Sequence, residues 1–572
     1  MNLPANLPQA TSIGYVVGGS LKDSLTVRLT VPPQQVKEGS FVVIESGNWR
    51  FYGTVTDIQL GSTDPRFADE QSEARLPAGI ASLLHGQTLY ANLQILPALM
   101  QEVGPDPAAP EYGAWRASHP DDNGLQPQPV KTVPAHHAPL RAAQAVDVAN
   151  IFGQPDQRNF VIGYTREQNL PIPIDLEKFV QRSAGIFGAT GTGKSFLTRL
   201  LLAGLVHYNK ASTLVFDMHN EYAYEDIASD SQAKIPGLKD KFAARVRVVA
   251  LGESASIRMH SPDFTLMLAE RDIQPEDIEM LTRELNLRET TPATLEALWR
   301  SFGENWFGEF KRMRNGALIE DENGKKVPAP DSVAHWANAN GVNVLAAEGL
   351  HSKLQRVFNK PYILPNPPAN SLQQIIEALA GKLHVVLSFG EHESDLDYLL
   401  VTNLITRRIR QEWEKRTNAY RSHPDKNPEP RPLVVVIEEA HKLLNREMAA
   451  QTAFSTIARE MRKYYVTLLI VDQRPSQIYD EVMSQLGTRV SAWLGDEADI
   501  AAVLSGLAGR DALRGMLARL QPKEEALLLG WGVSMPILVR SRRYDAEFFR
   551  ELGVNDPSAR KAEDAIRDLF GG

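Results

Sequence analysis

The chain has 572 residues and a net charge of −9, from 61 basic against 70 acidic side chains, with 43% hydrophobic and 23% charged residues and no cysteine. That length holds more than one domain with its own core, and the composition is that of an ordinary globular protein. The acidic balance excludes a protein that coats nucleic acid with its whole surface, though not one that holds it in a local basic channel. Lack of cysteine excludes disulfides and thiolate metal sites. No signal peptide opens the chain and no apolar run is long enough to span a bilayer, so a cytoplasmic location without a membrane partner is expected.

From about Ile13 to Leu96, GYVVGG, SLTVRLTV, GSFVVIES and WRFYGTVTDIQL are short runs rich in Val, Ile, Thr and aromatics, broken by Gly, Pro, Asn and Asp. Short strands at close spacing predict a small barrel or sandwich. The stretch carries no catalytic constellation, and Asp57, Ser62, Thr63 and Asp64 read as a polar turn. Between Gly104 and Leu140 eight prolines break regular structure, which predicts a linker. His136 and His137 lie there without a third ligand at metal-binding spacing and read as loop residues.

The second unit starts near Ala142. Phe160–Tyr164 and Ile172–Ile174 are short apolar runs leading to a further apolar strand, Ala184–Phe187. That strand enters Gly188, Ala189, Thr190, Gly191, Thr192, Gly193, Lys194 and Ser195, and a helical apolar pattern begins at Phe196. This is the GxxxxGK[ST] spacing in the strand–loop–helix setting it requires. Glycines let bare backbone N–H groups wrap a triphosphate, and the helix N-terminus adds partial positive charge. Lys194 is expected to reach the β- and γ-phosphates and Ser195 to ligate Mg²⁺, so ATP and Mg²⁺ are the expected cofactors.

Ser212–Asp217 is a further apolar strand, ending in a carboxylate and followed by His219 and Glu221. Alternating strand and helix signals predict a parallel sheet whose ligands collect at the strand C-termini, which places Asp217 near the phosphates. Residues 264–371 read as a charged, mostly helical insertion. Its basic scatter of Lys311, Arg312, Arg314, Lys325 and Lys326 reads as a solvated face. Leu433–Ile437 is purely aliphatic, hence buried on both faces, and runs into Glu438, Glu439, Ala440 and His441. One carboxylate is needed near the metal and one to polarise the attacking water. Glu438 is assigned to Mg²⁺, through water, and Glu439 to the base. Val466–Val471 ends in Asp472 and Gln473, which places Gln473 at the γ-phosphate or its water. Arg459, Arg462 and Lys463 precede that strand and are candidates to act on a neighbour's nucleotide. Val490–Leu494, Ala526–Gly530 and Ile537–Val539 complete the sheet, with a charged tail from about residue 545.

Taken in order, IGYVVGGS, EGSFVVIES and YGTVTDIQLGSTDP, then FVIGYTREQNLPIPIDLEKFVQRSAGIFGATGTGKS, LVFDMHNEY, VVVIEEAH, AREMRKYYVTLLIVDQRPSQI and SQLGTRV resemble the HerA family of hexameric ATPases, relatives of the FtsK translocases. The resemblance implies an N-terminal HAS barrel with its linker over residues 1–140. A RecA-like α/β P-loop core would follow over residues 141–572, with the helical insertion at about 264–371. It implies a homohexamer with ATP at the subunit interfaces and double-stranded DNA through the pore. It also implies that Arg182, just before the P-loop strand, and Arg462 act on a neighbour's nucleotide. Relatives work with a NurA-like nuclease in DNA end processing. Others act in anti-phage defence with a sirtuin-like NAD hydrolase or another nuclease effector. The barrel is the expected docking site for such a partner. Three positions depart from the family pattern: Glu438 stands where Asp is common, Asp472 where a small residue is usual, and Glu460-Met461 where Glu-Gly often precedes Arg-Lys. The rival expectation is an ATP-regulated ring scaffold that activates an effector without processive translocation. A protein unfoldase would need an aromatic pore loop beside the P-loop core, and none is identified.

Overall fold

The computed structural model describes residues 11–554 apart from 22, 64–88, 106–107, 119–125, 228–233, 253–259, 323, 393 and 448–452. Asp64 and the Asp556–Leu569 part of the expected tail lie outside the described residues, as does the Arg459 side chain.

Six antiparallel strands close a barrel. Its order is Leu25–Leu29, Gly14–Gly19, Pro139–Ala142, Phe41–Ser46, Trp49–Ser62 and Leu89–Glu102, and the last pairs back onto the first. Alternate residues turn inward, as a period of two requires, and Val16, Leu25, Val27, Ile44, Phe51, Val55, Leu93 and Leu140 fill the interior. The proline-rich stretch is therefore more than a linker. Its last residues are the closing strand, and the boundary expected at residue 140 falls inside that strand. Pro139 stands at the strand's first position, where a missing N–H costs the ladder least. The chain then enters the helix Ala145–Phe152. There Arg141 donates to Asp147 at 2.6 and 3.1 Å and to Glu45 at 3.0 Å, tying the barrel to the start of the core.

The core is built on a twelve-stranded sheet. Eight parallel strands run in the order Phe264–Leu266, Val246–Leu251, His384–Ser388, Ser212–Asp217, Leu433–Glu438, Val466–Asp472, Ala184–Phe187 and Thr488–Ser491. Four antiparallel strands extend it: Glu525–Gly530, Ile537–Ser541, Asn159–Tyr164 and Pro171–Asp175. The central parallel strands are buried on both faces, which explains their unbroken aliphatic sequence. Their C-terminal ends stand level, with Phe187 opposite Asp472, Glu438 opposite Val471 and Asp217 opposite Ser388. From the P-loop strand the chain crosses over two intervening strands to Ser212–Asp217, which opens a crevice at those ends.

The helix Lys194–Tyr208 covers one face and is buried nearly all round through Leu197, Leu200, Leu201 and Leu205. The helix Asp395–Ser422 and the insertion cover the other. That helix is long: Ser394 caps its start, and Trp413 and Thr417 remain buried towards its end. The insertion starts later than expected, since Phe264–Leu266 belongs to the main sheet. Lys311, Arg312 and Arg314 each pair with a carboxylate of the same region. The expected tail opens as a docked helix, Ala546–Glu551, with Phe548 and Phe549 in the core.

The insertion is pinned by Asp277, which is fully buried and accepts from Arg407 at 2.7 and 3.1 Å, from Asn403 at 2.9 Å and from the Gln274 amide. Burial pushes this carboxyl above its ordinary range despite the guanidinium, so the site depends on every bond being made. Asp277→Ala leaves Arg407 unpaired and mostly buried, and should cost about 3 kcal/mol in a urea titration of the full chain. Among the described residues no helix is long and apolar enough to cross a membrane.

Candidate active site

The loop after Ala184–Phe187 has the backbone that its glycines permit. Gly191 and Gly193 have φ of 75° and 100°, and a Cβ on Gly188 would stand 2.7 Å from the Thr192 hydroxyl. That hydroxyl donates to the Ala189 carbonyl at 2.7 Å, so Thr192 shapes the loop from within. Two residues that sequence reasoning missed brace it from outside. The Trp493 carbonyl accepts from the Ala189 amide at 3.0 Å, and the Lys523 amide donates to the Thr192 carbonyl at 2.9 Å. Lys194 opens the helix, Ser195 follows half-buried, and Phe196 is exposed.

Glu438 ends the acidic strand, which Val466–Asp472 separates from the P-loop strand, at 6% exposure. Tyr222 Oη donates to its Oε1 at 2.5 Å, whereas Oε2 is buried and has no partner among the described residues. Burial, reinforced by the charges of Asp217 and Glu221, pushes this carboxyl up to about 8. A donor set of one buried carboxylate oxygen and the half-buried Ser195 hydroxyl fits a hard cation that brings phosphate and water oxygens with it. Asp217 departs from expectation. It is fully buried, and its two oxygens accept from the amides of Glu221 at 2.8 Å and Tyr222 at 2.9 Å. It therefore shapes the loop that carries Tyr222 to Glu438, and it leaves no face for a nucleotide. Burial raises its carboxyl to about 6.

A testable consequence concerns pH. A carboxyl whose folded pKa lies above its unfolded value favours folding below the unfolded pKa, and that contribution fades as pH rises through the folded one. For Glu438 the window runs from its ordinary range near 4.5 up to about 8. In chelator, Glu438→Gln should therefore raise the melting temperature more at pH 8.5 than at pH 5. An equal shift at both would show that the buried carboxyl is not destabilising when ionised.

Glu439 leaves the strand with φ of 46°, a left-handed conformation that non-glycine residues rarely adopt and that clusters at functional sites. The turn aims its carboxylate at the P-loop, where Lys194 Nζ lies 3.7 Å away. Gln473 Nε2 donates to both carboxylate oxygens, at 2.9 and 3.1 Å, and Gln473 Oε1 accepts from the Thr190 hydroxyl at 2.5 Å. Three strand ends are thus joined in one polar chain. Asp472, the unexpected acid, supports it from below. Fully buried, it accepts from the His441 and Arg474 amides at 2.7 Å each and lies 3.0 Å from the His441 imidazole, whose pKa it raises. A charge at the end of a buried apolar strand was the signal available in the sequence.

Arg182 and Arg462 are not part of this cluster. Both precede the N-terminal ends of their strands, Ala184–Phe187 and Val466–Asp472, whereas the P-loop and Gln473 follow the C-terminal ends. The longer strand separates the two levels by roughly 20 Å. Distant as they are from the P-loop, the two arginines share one cavity of about 320 Å³ with Tyr465, Thr467 and Trp531.

Comparison with known proteins bears on what this arrangement is. Residues 160–409 match the family described as "Helicase HerA, central domain", and residues 13–82 match the HAS barrel domain. The chain is 22% identical over 558 residues to the DNA double-strand break repair helicase HerA of Sulfolobus acidocaldarius, covering 96% of this chain and 95% of that protein. It is 24% identical over 575 residues to the protein of the same name in Sulfurisphaera tokodaii, covering 97% and 98%. The chain is similar to the HerA family in these two regions and, by these relatives, over nearly its whole length. Among solved structures it is similar to the plasmid coupling protein TrwB with a non-hydrolysable GTP analogue, at 14% identity and a TM-score of 0.43, over 70% of this chain and 93% of that one. It is likewise similar to VirB4 of Thermoanaerobacter pseudethanolicus, at 14% identity and a TM-score of 0.41, over 68% and 97%. The chain is a P-loop ATPase of the helicase type. The HerA central-domain match takes in the P-loop and Tyr222, while Glu438, Glu439, Arg462 and Gln473 lie C-terminal to it.

Proposed function

We propose that this chain hydrolyses ATP as one subunit of a homohexameric ring, with each nucleotide held between two subunits, and that the ring translocates double-stranded DNA through its pore. The observation that carries the reading is the split between the P-loop cluster and the paired arginines, which stand at opposite ends of the parallel strands. A site divided in this way becomes whole only when a neighbour presents its arginine end to the P-loop.

In the complete site the loop amides and Lys194 hold the phosphates. Mg²⁺, carried by Ser195 and Glu438, would neutralise charge on the phosphate oxygens. Glu439 takes the proton of the attacking water, and Gln473 holds that carboxylate in place and reads the γ-phosphate side through Thr190. Arg182 and Arg462 of the adjacent subunit stabilise the charge of the transferring phosphoryl group.

DNA as the track is supported by the names of the relatives, each a double-strand break repair helicase. The acidic net charge suits a duplex confined to a local channel. A ring that works on DNA should turn ATP over several-fold faster when duplex DNA is added, with the stimulation falling as salt rises. Turnover indifferent to DNA would replace translocation by the scaffold reading, in which the ring organises an effector. We further propose that a NurA-like nuclease or a sirtuin-like NAD hydrolase is the partner, in DNA end processing or anti-phage defence, and that the barrel docks it. Co-purification from the native host identifies the partner. Its retention by a chain beginning after Ala142 would remove the barrel from the docking surface.

A further inference from the structure

Arg182 lies against Trp531, its Cζ 4.3 Å from the centre of the indole, and among the described residues no carboxylate pairs with it. Trp531 is 41% exposed, a large apolar surface left in solvent on a turn that is otherwise held tightly. The turn joins Glu525–Gly530 to Ile537–Ser541. The Trp531 amide donates to the Gly487 carbonyl at 2.6 Å, and the Gly532 amide donates to the Thr488 hydroxyl at 2.9 Å. The Gly532 carbonyl accepts from the Asp175 amide at 3.0 Å.

Two glycines make the arrangement possible. Gly530 has φ of 90°, and a Cβ there would stand 2.1 Å from the Gly487 carbonyl oxygen. A Cβ on Gly487 would stand 2.6 Å from that of Arg182, so the arginine stem runs along bare backbone. Gln181 approaches the indole nitrogen at 3.4 Å, and Lys178 Nζ lies 5.7 Å from the ring.

We propose that Trp531 is a positioning residue for Arg182, fixing the guanidinium where it meets the neighbouring subunit's nucleotide; this rests on the trans-acting role proposed above for Arg182. An arginine that must stabilise a phosphoryl group has to be held and yet remain unneutralised. A carboxylate would hold it and cancel its charge. An aromatic face orients the planar guanidinium through its quadrupole and leaves both the charge and the N–H edge available. The rigid turn supplies the fixed point that a flexible arginine lacks, so less motion is lost when the site assembles.

The test compares Trp531→Leu and Trp531→Phe with Arg182→Ala and with the Arg182→Ala/Trp531→Leu double variant, all in the full chain. Steady-state ATP turnover, KM for ATP and ring assembly by size exclusion are measured. Trp531→Leu keeps an apolar side chain but loses the ring face and its quadrupole. It should lower kcat about tenfold with KM and assembly unchanged. Trp531→Phe should retain most of the rate, and the double variant should be no slower than Arg182→Ala. Mixing Trp531→Leu with Lys194→Ala subunits should restore turnover, because the defect lies in what a subunit gives its neighbour. If Arg182→Ala is slow while Trp531→Leu runs at the wild-type rate, or the two losses multiply, Trp531 does not act through Arg182 and the proposal is overturned. If Arg182→Ala itself runs at the wild-type rate, the trans-acting reading of Arg182 falls first and the role of Trp531 falls with it.

Discussion

Glu439→Gln should bind ATP nearly as tightly as the wild type and hydrolyse it about a thousandfold more slowly. The substitution is nearly isosteric, and a glutamine carbonyl still accepts from Gln473 Nε2, so the link to Thr190 survives. What disappears is the ability to take a proton from water, a contribution of about 10²- to 10⁴-fold in the general run of such catalysis. Lys194→Ala should fail differently, losing turnover together with nucleotide affinity, since the ammonium is part of the phosphate cradle. Equilibrium binding of a fluorescent ATP analogue and steady-state phosphate release separate the two. Wild-type turnover in Glu439→Gln would remove the residue from the role of base. In that event its left-handed backbone would need a different explanation.

Arg182→Ala and Arg462→Ala should each assemble and bind ATP, yet hydrolyse it roughly a thousandfold more slowly, as expected for the loss of an arginine supplied to a phosphoryl-transfer site. Neither variant touches its own P-loop, which lies at the other end of the strands. Mixing either with Lys194→Ala subunits should therefore recover activity that neither possesses alone. A Lys194→Ala subunit contributes sound arginines, and its partner contributes a sound P-loop. Phosphate release measured across mixing ratios checks this. A flat response would mean that the arginines serve their own chain or none.

Much of this site was legible because its chemistry is local. Gly188 to Ser195 must be contiguous to wrap a phosphate, and Glu438-Glu439 must follow a doubly buried strand, so pattern alone locates them. Residues whose role depends on neighbours distant in sequence were less legible. Asp217 looked like a nucleotide contact because it ends the right strand, but its oxygens are consumed by the amides of Glu221 and Tyr222. Asp472 looked like an anomaly, and proves to bind the His441 and Arg474 amides, a contact across 31 residues for the first. Trp493 and Lys523 reach the P-loop by backbone atoms alone, and backbone contacts leave no signature in side-chain identity. The barrel strands were readable as strands. A barrel was expected as well, but not the source of its sixth strand, which comes from a proline-rich segment whose composition argues for irregular chain.

That sixth strand has a consequence for the order in which the protein is made. Ser12 bonds the Leu140 carbonyl, 128 residues away, and Gly14 pairs with Leu140 across the same seam. Until residue 142 has left the ribosome, the sheet that will become the barrel has two open edges, each able to recruit a stray strand. The core is slower still to finish. Asn159–Tyr164 waits for Ile537–Ser541, so the sheet stays incomplete until residue 541 has emerged. Contacts of this range fold slowly and expose unpaired edges to aggregation. A nascent chain of this protein should therefore lean on chaperones twice, briefly at the barrel and again, for much longer, before its last antiparallel strands emerge.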